Sequence, residues 1–178
     1  MAVGRAEQKL DGNIVQGLAA GILAGLAASY AMNAFQSAIS RRQRSEPQPE
    51  PRRTQGYNDA DPATARAASI LSENAFRHRL SPRQKDVAGP VVHYAVGAAL
   101  GGLYGVAAEL EPRVTTGAGL PFGAAVAAVL DEGIVPAAGL SGPPWESSAS
   151  THLYSLGSHL VFGLTAEVVR RSVRSLST

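Results

Sequence analysis

Seven ionisable residues stand within apolar stretches of this chain: His93, Glu109, Asp131, Glu132, His152, His159 and Glu167. Such groups are costly in apolar spans and usually face a bundle interior or a water-filled cavity. His152 and His159 are seven apart, so they point the same way two turns along one helix, and Glu167 continues that face. The candidate functional polar cluster is His93, Asp131, Glu132, His152, His159 and Glu167. Imidazole beside carboxylate can respond to protons, because burial and charged neighbours move histidine across physiological pH. The competing account for Asp131 and His159 is a hydrogen-bonded pair that holds helices together. For His93 and His152 it is placement near the span ends.

Other chemistries find less support. Histidine and carboxylates are zinc and iron ligands, yet no HExxH occurs, and Glu146 to His152 lacks the Glu-x-x-His spacing of di-iron bundles. There is no GxSxG elbow, and Gly101-Gly102-x-x-Gly105 follows no predicted strand, so it is not a nucleotide loop. The absence of cysteine excludes a thiol nucleophile, a disulfide framework and a cysteine-ligated metal. No cofactor, metal or catalytic residue is therefore assigned, and a metal-dependent membrane enzyme is the third-placed reading.

The element that positions these residues is best seen in Val91 to Leu110, about 20 residues without a basic side chain, the length of a bilayer-crossing helix. His93, Gly97, Gly101, Gly105 and Glu109 recur there at every fourth position. Residues four apart form a ridge, and glycines on it let a second helix approach until backbones touch. Three more stretches repeat the design. Span 1 (14–39) carries Gly17, Gly21, Gly25, Ser29 and Asn33, and span 2 is 90–110. Span 3 (117–140) carries Gly119, Gly123, Ala127 and Asp131, and breaks near Asp131 to Pro136. Span 4 (151–169) carries His152, Ser155, His159, Gly163 and Glu167. The expected fold is an all-α integral membrane bundle of four hydrophobic segments with GxxxG-type packing, forming a single domain over 1–178. A signal peptide cleaved near Ser29-Tyr30-Ala31 is the alternative for the first stretch, but its apolar run is long and shares the ridge.

Charge agrees with this division. Net charge is only +2, and of sixteen basic residues ten fall between Arg41 and Lys85. Charge confined to the flanks of apolar tracts is a membrane pattern. A soluble Ala/Gly-rich bundle is the bland competitor. The polar insert, 41–86, begins RRQRSEPQPEPRRTQG, too polar and proline-rich to bury a core. Asp61 is expected to cap a surface helix of about 62–78 starting at Pro62, with Ala67, Ile70, Leu71, Ala75 and Phe76 on its apolar face. This helix either lies on the membrane or packs on the bundle end. Ser81-Pro82 starts a further short helix before span 2. Arg41, Arg42 and Arg44 suit anionic lipid head groups, and the lipid bilayer is the expected partner. Nucleic acid is not, since no aromatics interleave with the basic residues. A homo-oligomer is left open. Trp145 stands where an interfacial aromatic would sit.

Two internal echoes appear. Gly17 to Tyr30 aligns with Gly97 to Leu110, and Tyr104-Gly105-Val-Ala-Ala-Glu109 resembles Phe162-Gly163-Leu-Thr-Ala-Glu167. Duplicated hairpins would give such echoes, but the matches are mostly Ala and Gly, which favours convergent small-residue packing. Orientation is contradictory: the basic insert and Arg170, Arg171 and Arg174 each argue for the cytoplasm, yet three crossings separate them.

The segments AGPVVHYAVG, GGLYG, GAGLPFG, PPWE, STHLY and SHLVFGLTAEVVRR resemble the YagU-like inner-membrane proteins of bacteria. The resemblance covers spans two to four closely. It implies a multi-pass protein of the bacterial inner (cytoplasmic) membrane, loosely linked to acid tolerance, and brings no catalytic residues. The leading function is proton-responsive transport or sensing of a small solute or ion. The alternative is a non-transporting structural or assembly factor of the membrane.

Overall fold

The computed structural model describes residues 2–45 and 61–176, with side chains over 13–42 and 61–176. Among the described residues six α-helices follow in order: α1 (Ala2–Ser45), α2 (Ala63–Phe76), α3 (Pro82–Leu110), α4 (Leu120–Val129), the three-residue α5 (Val135–Ala137) and α6 (Ala149–Ser175). A π-helical turn, Leu130–Ile134, joins α4 to α5. The described residues contain no strand. The proline-rich stretch of the insert lies outside them.

Glycine sets the helix spacing. α1 and α3 run antiparallel, with Gly17, Gly21 and Gly25 against Gly105, Gly101 and Gly97. A Cβ placed on Gly101 would lie 2.6 Å from the Cα of Gly25, so no side chain fits between these backbones. α4 and α6 repeat the arrangement, with Gly119 and Gly123 against Gly163 and the backbone of His159. Gly119 also takes φ +81°, which a side chain would resist. Gly102, one residue off the ridge, instead faces the flexible side chains of Leu18 and Ile22.

The interior is inverted relative to a soluble bundle. Its buried apolar residues are mostly small, including Ala20, Ala24, Ala28 and Ala166, while Met32 and Phe162 supply bulk. The largest fully buried side chains are Glu167, Ser29 and Ser158. The long aliphatic residues point outward, among them Val15, Leu23, Leu103, Val129, Leu153 and Val168. Among the described residues, three helical stretches are long and apolar enough to cross a membrane: Asn13–Arg42, Pro82–Leu110 and Leu120–Ala137. α6 packs on both α1 and α4, but its His152, His159, Glu167 and arginines keep it outside that class. Of the four expected segments, three are apolar enough by this measure, and the fourth, α6, is more polar.

Several boundaries differ from expectation. Span 3 is shorter than 117–140, since Gly117, Ala118 and Gly119 all take positive φ and the helix begins at Leu120. Ser81-Pro82 does not start a separate short helix. A capping box between Ser81 and Gln84 opens one continuous helix that runs through Pro90 to Leu110. Asp61 does not cap α2: Pro62 takes the N-cap position without a side-chain bond, and the Asp61 carboxylate accepts from Lys85 Nζ at 2.5 Å. α2 packs on α3 through Ala65 and Ala68, with Ala65 beside Gly89, leaving Ile70, Leu71 and Phe76 exposed. Of the two placements expected for this helix, packing on the bundle uses the small residues Ala65 and Ala68, and the apolar face of Ile70, Leu71 and Phe76 stays free for a membrane surface.

Candidate functional site

A cavity of about 580 Å³ lies at the α2 end of the bundle, walled by α1, α2, α3, α6 and the π-helical turn. Its polar lining is Ser29, Asn33 and Gln36 of α1, Thr64 of α2, His93 of α3, Asp131 of the turn and His159 of α6. Apolar side chains, including Met32, Leu100, Val126 and Phe162, form the rest of the wall.

The π-helical turn is what brings the acids to α6. Widening of a helix by one residue is a common device at functional sites, and here it directs both Asp131 and Glu132 toward α6. Ser155 Oγ donates to Asp131 Oδ2. His159 Nδ1 lies 3.5 Å from the same oxygen and 3.1 Å from the Ser155 carbonyl. A carbonyl only accepts, so Nδ1 carries the hydrogen. His159 is 7% exposed. Across the cavity, Ser29 Oγ and His93 Nε2 are buried without a hydrogen-bond partner.

Glu132 makes a second pair at the rim. His152 Nδ1 lies 2.6 Å from Glu132 Oε1, and Nε2 lies 3.1 Å from the Pro144 carbonyl. Each ring nitrogen of His152 thus faces an acceptor, an arrangement that suits an imidazole donating from both nitrogens.

Glu167 belongs elsewhere. It is 1% exposed and accepts from Arg170 Nε at 2.8 Å, from Arg170 Nη2 at 2.9 Å, and from Arg171 Nε. Tyr104 stacks on Phe122 with centroids 4.3 Å apart and has its hydroxyl buried. Nearby, Arg174 donates to both oxygens of Glu109, at 2.7 and 3.1 Å, and to Gln16 Oε1. The expected grouping of His159 with Glu167 on one face is thus corrected: His159 turns to Asp131 and the cavity, while Glu167 is consumed by arginines at the opposite end.

Of the polar cluster, the structure brings His93, Asp131 and His159 to one cavity, sets Glu132 and His152 at its rim, and separates Glu167. Among the described residues no group of three histidines or acids is arranged to hold a metal ion. The sequence reading missed Arg170 as a buried partner, although its spacing of three from Glu167 signals it. It also missed Gln36 as a lining residue, for which there was no signal.

An apolar-shelled helical bundle enclosing polar groups is the general class this architecture defines. Within it, the chain belongs to the family described as a protein of unknown function, DUF1440, whose model matches residues 46–168. That match spans α2 to most of α6 and begins after α1. Comparison with curated proteins and with solved structures finds no match.

Proposed function

We propose that this protein is a multi-pass membrane protein that binds a small solute or ion in the α2-end cavity and responds to protons through His159 and Asp131. The observation that carries the reading is that cavity, a mostly apolar pocket with a few convergent polar groups, inside a bundle whose long aliphatic side chains face outward. Protonation of His159 would turn its contact with Asp131 into an ion pair; His93, across the cavity, is the other titratable group facing it. The resemblance to YagU-like proteins supports a bacterial inner membrane and a link to acid tolerance. Below the cavity the glycine rows touch backbone to backbone, which favours sensing or gated movement over an open pore.

α6 serves as the fourth crossing in this reading, so the basic insert and Arg174 lie on opposite sides. In support of this reading, Arg170, Arg171 and Arg174 are paired with Glu167 and Glu109, which lessens their weight as orienting charge. The insert end, with Arg42, Arg77 and Arg83 exposed, then carries the orienting charge and is cytoplasmic. Cysteine introduced at Ser81 should be shielded from an impermeant reagent in intact cells, whereas cysteine at Thr116 should react. The opposite pattern would reverse the orientation, and shielding of both would refute four crossings.

The proton response is tested by His159→Gln, which keeps a hydrogen-bonding group but cannot gain charge. Reconstituted wild type should change Trp145 fluorescence or solute flux between about pH 5 and 8, the range where histidine titrates. The variant should remain folded and lose the pH-dependent change in flux. A wild type without any response would leave the structural or assembly role, which the ion pairs at the far end favour.

A further inference from the structure

α2 forms one wall of the cavity, contributing Pro62, Ala63, Thr64 and Ala67. It packs on α3 through Ala65 and Ala68, with Ala65 beside Gly89, and the Asp61–Lys85 ion pair ties its start to α3. The corner where it turns into α3 is built differently. Phe76 is 80% exposed and Leu71 61%. Arg77 and Arg83 are exposed beside them, and Val87 continues the apolar surface onto α3 at 66% exposure. Arg79 is committed to Glu73 at 3.6 Å. Ser72 Oγ donates to the His78 carbonyl at 2.8 Å, which fixes the corner's shape.

Length places this corner at a defined depth. α3 has 29 residues, hence about 43 Å. A hydrocarbon core of about 30 Å accounts for some 20 of them. With Val91 to Leu110 spanning the core, Pro82 to Pro90 projects into the head-group layer, and α2 is carried there with it. An aromatic and aliphatic surface bordered by arginines is complementary to that layer when its lipids are anionic.

We propose that the α2–α3 corner docks on anionic lipid head groups through Arg77 and Arg83, with Leu71 and Phe76 inserted beside them, and that this docking holds the α2 wall of the cavity. The inference rests on the membrane reading above. Because the chain has no cysteine, single labelling sites are clean. The full-length protein carrying Asn74→Cys and an environment-sensitive dye is reconstituted into phosphatidylcholine vesicles, with or without phosphatidylglycerol, together with shallow spin-labelled lipid. Quenching should rise with phosphatidylglycerol and fall with salt. In the Arg77→Gln/Arg83→Gln variant the docked-to-undocked ratio should drop about fivefold per arginine. Quenching that ignores phosphatidylglycerol, survives in the double variant, or is abolished by excess inorganic phosphate would overturn the proposal. A second label at Leu23→Cys, outward on α1, should be quenched by deep spin-labelled lipid in every vesicle. Failure there would overturn the membrane reading itself, whereas quenching there without any at Asn74 would overturn the docking alone.

Discussion

The two helical hairpins, α1 with α3 and α4 with α6, start alike and end differently. In the first, Gly17 packs against Gly105 and the side chain of Glu109; in the second, Gly119 packs against Gly163 and Glu167. Each glutamate is then capped by arginines of α6. One step further, Gly21 meets Gly101, whereas Gly123 meets His159. Two steps beyond that, α1 offers Ser29 and α4 leads into Asp131. The same four-residue ridge therefore fixes both pairs at one end. Where the second pair spends its later positions on side chains instead of glycine, the backbones part and the polar cavity opens. The echo noted in the sequence is thus an echo of contacts as well.

The comparison can be broken most severely at the glycine rows. Gly101→Leu should yield no folded protein in detergent, because the added side chain meets the backbone of Gly21 and Gly25. Gly101→Ala should cost about 1–3 kcal/mol, as overpacking does, and Gly163→Ala a similar amount. Gly102→Ala should cost less, since Leu18 and Ile22 can yield. Equal melting shifts for Gly101→Ala and Gly102→Ala would remove the ridge from the account, and a tolerant Gly163 would make the hairpins unlike from the start.

The ion pairs come next. Glu167→Gln leaves Arg170, 9% exposed, without its counter-charge, and should cost about 3–5 kcal/mol. Glu109→Gln should cost about 1.5–3 kcal/mol, the range for hydrogen bonds to charged groups, because its partnership with Arg174 is less buried. Thermal unfolding in one detergent gives the order directly. If Glu109→Gln proved the costlier, the first hairpin and not the second would be the one secured by charge.

The smallest effect is expected at the cavity rim. Glu132 and His152 are 39% and 37% exposed at the side chain, so solvent screens their attraction. Glu132→Gln should leave the melting midpoint nearly unchanged while altering the pH dependence of Trp145 fluorescence, because Trp145 adjoins the Pro144 carbonyl that His152 also contacts. A pH profile identical to wild type would confine proton sensitivity to His159 and Asp131.

The sequence by itself determined the ridges. Glycine every fourth residue in Gly17–Gly25, Gly97–Gly105 and Gly119–Gly123 implies helices packed at backbone contact, since that spacing keeps one face bare. It also determined that ionisable groups would sit inside. Only the tertiary structure decided how those groups divide. His159 and Glu167 are both on α6, eight residues apart, but which neighbour each meets depends on the antiparallel register of α4 and on the π-helical turn that aims Asp131 and Glu132 at α6. Likewise Arg170 and Arg174 read in sequence as an orienting basic tail, whereas in the folded protein Glu167 and Glu109 neutralise them. Helical period is a local property and can be read along the chain; partnership between charges is set by register between helices, which no single helix encodes.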